Sequence, residues 1–343
     1  MKRLAATLSL LLATGVVLAQ KPAELRVYFI DVEGGQSTLF VAPGGETLLI
    51  DTGNPGHDNR DASRIAAVAK IAGVTRFDNV LITHYHNDHV GGVPQLLAEK
   101  IPIGRFIDHG PNREENDAAT VGSWTAYQKV LADTHIPRLI VKAGETLPLK
   151  ELKVQIVSAD GQVIAKPLPG AGTANPACAS SPTKPLENTE NDRSTGSVIT
   201  FGKLRLIDLG DLTWANERPL MCPINKLGQF DVYIVSHHGL PNSGSPAFVD
   251  GIAPRVAIMD NGPLKGGDPT AWQIIEGSPR LKDLWQLHTA EVPNAKNAPE
   301  GHIANLTGPD SAHYLLLTGR VDGSFTVFNS RTGETVPYPA AGK

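Results

Sequence analysis

The sequence predicts an α/β fold in which two mixed sheets are sandwiched between helices around one site. Three observations predict it. Short apolar runs of strand length alternate with helical stretches from residue 24 to residue 134. The alternation pauses over 159–192, where Pro, Gly, Ala, Ser, Thr and Asn dominate, and then resumes as a second β/α set. In both halves apolar runs end in His and Asp, as expected if strand tips converge on a site.

Residues 24–30 alternate, with Leu25, Val27 and Phe29 on one face, and read as a first strand. A turn over 31–36 leads to strands at 37–41 and 47–50, the latter ending in Asp51-Thr-Gly. A helix is predicted over 62–72, with Ile65, Val68 and Ala69 inward and Gly73 as its stop. Next come a strand at 79–83, a helix at 93–100, a strand at 105–108 ending in His109-Gly-Pro, and a helix at 122–134. Short strands at 139–141, 146–149 and 153–157 read as antiparallel hairpins. After the 159–192 loop insertion, 197–201 and 204–209 form a hairpin around Gly202. Further strands are predicted at 231–236 and 256–259, helices at 216–220 and 270–276, and a last hairpin over 314–328 turned by Asp322-Gly323. The expected organisation is a single domain over 21–343, with 261–343 as an extension packed on it.

The chain turns on residues 79–92. Val80, Leu81 and Ile82 form a buried-looking run that breaks into His84-x-His86-x-Asp88-His89 and closes with Gly91-Gly92. In an extended segment side chains alternate, so His84, His86 and Asp88 can share a side while His89 points elsewhere. Positions two apart on a helix diverge, so this is not a helical His pair. One loop can therefore offer a His pair to one cation and an Asp-His pair to another. Imidazole and carboxylate suit zinc, with manganese or iron as competitors. A merely polar loop would have to gather three of the chain's eleven His beside an Asp at a strand end. Two later strand ends are suited to complete a site: Asp211 after Gly210, and His237-His238-Gly239 after 231–236.

Composition bounds the class. With 343 residues, 41% hydrophobic and 19% charged, the chain is ordinary for a globular protein. A net charge of −4 gives no global basic field for nucleic acid, which leaves a local groove open. Lys2-Arg3, an apolar run from Leu4 to Leu18, and small residues before Gln20 read as a signal peptide over 1–19. A membrane anchor is the alternative. Cleavage would leave no stable membrane insertion and a periplasmic or secreted protein. Cys178 and Cys222 then form either a disulfide or two separate thiols.

The 84–92 stretch resembles the H-x-H-x-D-H and G-G signature of the metallo-β-lactamase superfamily. Phe29-Ile-Asp31-Val-Glu-Gly-Gly-Gln, Leu49-Ile-Asp51-Thr-Gly53, Asn191-Asp-Arg-Ser194, Leu209-Gly-Asp211 and Ser236-His-His-Gly239 resemble, in order, motifs of the ComEC-like branch. The chain departs at Glu33-Gly-Gly-Gln-Ser37, where that branch has an acidic residue, and shows no spans for a ComEC channel. The resemblance implies an αββα four-layer sandwich and two divalent metal ions, zinc first, with manganese or iron as alternatives. It implies ligation by His84, His86, Asp88, His89, Asp211 as a bridge, and His238. The roles of His237 and His238 could be reversed. His109 is the best-placed third imidazole for the first ion, with a turn residue beside Gly110-Pro111 as the other reading. Asp51 is expected to orient the loop rather than bind metal.

The expected activity is metal-assisted hydrolysis through a metal-bridged hydroxide. Asp88 would orient the nucleophile, and His237 or a backbone N–H would donate to the substrate oxygen. The resemblance implies a phosphodiester or nucleic-acid-like substrate, with another small molecule as the alternative. The alternatives are a β-lactamase or other amide or ester hydrolase on the same site, and a non-catalytic metal-binding protein. Oligomeric state is left open.

Overall fold

The computed structural model describes residues 23–308 and 311–342. The expected signal peptide, 1–19, lies outside them. Three separate hydrophobic clusters fill the spaces between four layers, and their membership defines the architecture.

The first half builds one sheet and one helical layer. Strands β1 (Glu24–Phe29), β2 (Thr38–Val41) and β3 (Thr47–Ile50) form an antiparallel meander. Helix α1 (Arg60–Ala72) ends at Gly73, whose positive φ of 72° closes the last turn. The chain then adds β4 (Asn79–Leu81) parallel to β3, the short helices α2 (Asn87–Val90) and α3 (Val93–Ala98), and β5 (Phe106–Asp108). Helix α4 (Ala118–Thr134) starts earlier than its apolar pattern suggests, because the Asp117 carboxylate accepts from Thr120 N–H at 2.7 Å. It leads to β6 (Arg138–Ile140), parallel to β5.

Of the hairpins expected at this point, the one joining 139–141 to the next strand does not form. β6 ends in the first sheet, whereas β7 (Lys153–Ala159) opens the second. Residues 144–147 do fold back antiparallel on 154–156, through the Thr146–Gln155 bridge and hydrogen bonds from Leu147 N–H to Val154 O at 2.9 Å and from Ile156 N–H to Glu145 O at 2.8 Å, without extending into a strand. The 159–192 stretch carries the two-residue strands β8 (Gln162–Val163) and β9 (Thr173–Ala174) and is stapled by the Cys178–Cys222 disulfide.

Strands β10 (Gly196–Phe201) and β11 (Leu204–Asp208) form the predicted hairpin. Helix α5 (Trp214–Met221) and β12 (Ile224–Asn225), which pairs with β9, come next. Then follow β13 (Val232–Ile234), α6 (Pro246–Ile252), β14 (Val256–Met259), α7 (Pro269–Glu276), β15 (Asp283–His288) and β16 (Ile303–Asn305). These strands run parallel from β11 outward, giving the order β16-β15-β14-β13-β11-β10-β7-β8. The chain finally returns to the first sheet with β17 (Leu315–Arg320), β18 (Phe325–Asn329) and β19 (Thr335–Tyr338). That sheet reads β19-β18-β17-β1-β2-β3-β4-β5-β6. Residues 261–343 thus supply strands to both sheets.

The sheets pack face to face through Val27, Phe29, Phe40, Leu48 and Ile50 on one side and Ile156, Ile199, Leu206, Ile234 and Trp285 on the other. At one end the Trp285 indole N–H donates to the Tyr338 hydroxyl across the interface at 2.9 Å. Helices α1, α3 and α4 cover the outer face of the first sheet, and α5, α6 and α7 that of the second. This is the expected αββα sandwich. The loops after β3, β4, β11, β13 and β14 meet at one edge.

Candidate metal centre

Four ligand atoms from three loops converge at the sandwich edge. His89 Nε2 lies 3.2 Å from Asp88 Oδ2, 3.2 Å from Asp211 Oδ2 and 3.2 Å from His238 Nε2. His238 Nε2 lies 3.1 Å from Asp88 Oδ2 and 3.6 Å from Asp211 Oδ2. A tetrahedron with metal–ligand bonds of about 2.0–2.1 Å has edges of about 3.3–3.4 Å, so these separations suit one tetrahedral cation. All four residues are buried. Next to them a second group, His84, His86 and Asp211, can hold another ion. There His84 Nε2 and His86 Nδ1 are 3.0 Å apart, and His84 Nε2 is 3.8 Å from Asp211 Oδ2. Asp211 belongs to both groups.

The ring orientations are set from behind. Asp51 Oδ2 lies 2.7 Å from His89 Nδ1 and accepts from the Thr83 hydroxyl at 2.6 Å, while its other oxygen accepts from Thr83 N–H. With a proton held on Nδ1, His89 presents the lone pair of Nε2 to the cluster. Glu114 does the same for His86, 3.0 Å from Nε2, which leaves Nδ1 facing His84. Asp260 sits 3.4 Å from His238 Nδ1, without hydrogen-bond alignment.

The electrostatics demand positive charge. Burial disfavours an imidazolium, yet the carboxylates of Asp211, Asp88 and Asp51 hold His89 well above the usual histidine range. Against the same burial, Asp211 and Asp260 lift His238 to about 10. Burial would raise Asp88 and Asp211, but the imidazoles around them, and Lys265 for Asp88, hold both well below the carboxylate range. Burial and the His89 charge push His84 well below the histidine range. Asp211 Oδ1 is buried with no hydrogen-bond partner. Facing lone pairs, paired buried carboxylates and an orphaned carboxylate oxygen fit divalent cations.

Of the residues expected at the site, His84, His86, Asp88, His89, Asp211 and His238 meet. His237 joins them, with Nε2 3.3 Å from Asp211 Oδ2 and Nδ1 3.3 Å from the Ser243 hydroxyl; burial lowers it to about 4. The structure does not bring His109 there. Its Nε2 pairs with the buried carboxylate of Glu190 at 3.0 Å, and Glu190 also accepts from Tyr85 N–H and Arg113 N–H. Glu190 thus braces the loop between His84 and His86. A third acidic group, Asp31, Glu33 and His288, already has the Arg64 guanidinium 2.7 Å from Asp31.

Sequence reasoning missed Glu114, Glu190, Asp260 as a partner of His238, and Lys265, whose ammonium contacts Asp88 Oδ2. Asp260 had a signal, since it follows a buried strand as Asp51 and Asp211 do. Glu114 and Lys265 lie in loops with no motif.

The Metallo-beta-lactamase superfamily matches over residues 31–170. ComE operon protein 3 of Bacillus subtilis strain 168 is 23% identical over 257 residues, covering 70% of this chain and 29% of that protein. An atrochrysone carboxyl ACP thioesterase of Cryptosporiopsis sp. strain 8999 is 37% identical over 81 residues, 24% of this chain and 22% of that one. The chain thus spans less than a third of these curated relatives. Among solved structures, the metallo-beta-lactamase fold protein YhfI of Bacillus subtilis superposes with a TM-score of 0.46 at 13% identity, covering 76% of this chain and 96% of that one. With its ordered His and Asp motifs folded into one buried centre, the chain is similar to the metallo-β-lactamase superfamily, whose match covers residues 31–170.

Proposed function

We propose that the chain is an exported metal-dependent hydrolase acting on phosphodiester or nucleic-acid-like substrates. The observation that carries the hydrolase reading is the near-tetrahedral set of Asp88, His89, Asp211 and His238, sharing Asp211 with His84 and His86. Two divalent cations bound there would activate water and polarise the scissile group. His84, His86 and Asp211 would hold one, and Asp88, His89, Asp211 and His238 the other. Asp51 and Glu114 fix the rings, so the site is preorganised before substrate arrives. His237 faces Asp211 and is held neutral by burial, so it can offer a ring N–H to a substrate oxygen. The phosphodiester class draws support from the resemblance of the ordered motifs to the ComEC-like branch, alongside 23% identity to ComE operon protein 3 over 70% of this chain. Export draws support from the Cys178–Cys222 disulfide.

An ester or thioester substrate is the second reading, favoured by the similarity to the ACP thioesterase over a quarter of the chain. Purified protein loaded with zinc or manganese should cleave bis(p-nitrophenyl) phosphate and single-stranded DNA faster than a thioester reporter or a chromogenic cephalosporin. Turnover of the thioester or cephalosporin alone would replace the phosphodiester reading.

A further inference from the structure

The loop after β14 carries a cation into the mouth of the centre, and nothing in the hydrolytic scheme uses it. Lys265 contacts Asp88 Oδ2 through its ammonium, and its side chain is 39% exposed where that of Asp88 is 9% exposed. The ammonium therefore sits between the buried cluster and solvent. Asp88 Oδ2 does not need it as a partner, because His238 and His89 already approach that oxygen at 3.1 and 3.2 Å.

The loop's position does not depend on the ion pair. Gly267 N–H donates to the His238 carbonyl at 3.0 Å and Asp268 N–H to the Gly239 carbonyl at 2.9 Å. Gly262 N–H closes onto the Lys265 carbonyl at 2.9 Å, and Glu291 N–H donates to Pro263 O at 2.7 Å. A Cβ on Gly266 would lie 2.1 Å from the His238 carbonyl oxygen, and one on Gly34 would lie 3.0 Å from Lys265 Cβ. The backbone of residue 265 is thus locked to the segment that carries His238, while its four-carbon stem can swing.

A divalent cation held by Asp88 competes with the ammonium for the same oxygen and repels it. The stem can then carry the three N–H donors toward an anion resting on the cations. We propose that Lys265 is a specificity-determining residue that binds an anionic phosphoryl oxygen of the substrate beside the metal centre. This rests on the hydrolase reading above and names the charge its substrate must carry.

The test is calorimetric titration of the zinc-loaded protein with inorganic phosphate, using wild type and the Lys265→Met, Lys265→Arg and Lys265→Glu variants, with zinc content measured in each. Losing one charge-assisted hydrogen bond should weaken phosphate binding about tenfold or more in Lys265→Met. Lys265→Arg should retain binding and Lys265→Glu abolish it. Zinc content should be undiminished in Lys265→Met, since a competing cation is gone. Wild-type affinity in Lys265→Met, or no phosphate binding by the zinc-loaded wild type, would overturn the assignment. Lys265-dependent binding of acetate without phosphate would overturn the phosphoryl class. A protein that binds phosphate through Lys265 yet cleaves no phosphodiester would remove the hydrolase reading alone. One that cleaves the reporter with unchanged KM in Lys265→Met would remove the Lys265 assignment alone.

Discussion

Asp51 never enters the convergent cluster, yet it sets the cluster's geometry. It takes a left-handed φ of 59° at the tip of β3, and its two oxygens clamp Thr83 and His89. Asp51→Asn should lower metal affinity about 10–100-fold, read by competition with a chromophoric chelator. His84→Ala removes a ring from the His84–His86–Asp211 group, and elemental analysis should show metal content falling; unchanged content would dissolve the site. A different buried carboxylate sets a pH dependence. Glu217 accepts from Gly244 and Ser245 N–H at 2.7 Å each, but burial pushes it up to about 7. A folded-state value raised above the unfolded 4.5 gives stability that is full below about 4.5 and lost as pH rises through about 7. The loss is about 3 kcal/mol at most. Urea midpoints from pH 5 to 8 should therefore fall in wild type and fall less in Glu217→Gln. The cluster residues were legible because ligand types crowd one loop and recur at strand ends. Glu114 and Lys265 were not, because only the folded chain brings their isolated charges to His86 and Asp88.

At the scale of elements, the ligand loop is held by close backbone approach. A Cβ on Gly92 would lie 2.0 Å from the Thr52 carbonyl oxygen, while Gly92 N–H donates to Gly53 O and Thr52 N–H to His89 O. Gly92→Ala must push the loop off the β3 tip. We expect a loss of about 1–3 kcal/mol, with metal binding weakened because His89 leaves Asp51; wild-type stability and metal affinity together would refute the packing account. Gln36, at the end of the opening motif, donates to the buried Asp208 at 2.6 Å and so ties the β1–β2 turn to the second sheet. Most central strands were legible from apolar runs. Helix α6 was not, since its helix signal is a Ser245 cap and Pro246 within a Gly- and Ser-rich stretch. β15 was missed because Gln286 and His288, both buried, break the apolar pattern. The hairpin expected to join 139–141 to the next strand failed because spacing cannot tell strands that pair with each other from strands that part between two sheets.

At the scale of the whole molecule, the Cys178–Cys222 link closes 44 residues that include β10, β11 and Asp211. Replacing both cysteines by serine should cost about 4 kcal/mol in the chain-entropy account, measured by denaturant unfolding against the oxidised protein; an unchanged midpoint would mean the crosslink constrains little. The topology has a further outcome. β1 lies between β2 and β17, so the earliest strand of the described chain finishes its pairing only with one of the last. Until residue 320 leaves the ribosome, the Glu24–Phe29 edge stays open to any passing strand. A nascent chain halted before that point would therefore be a target for chaperones and a seed for aggregation.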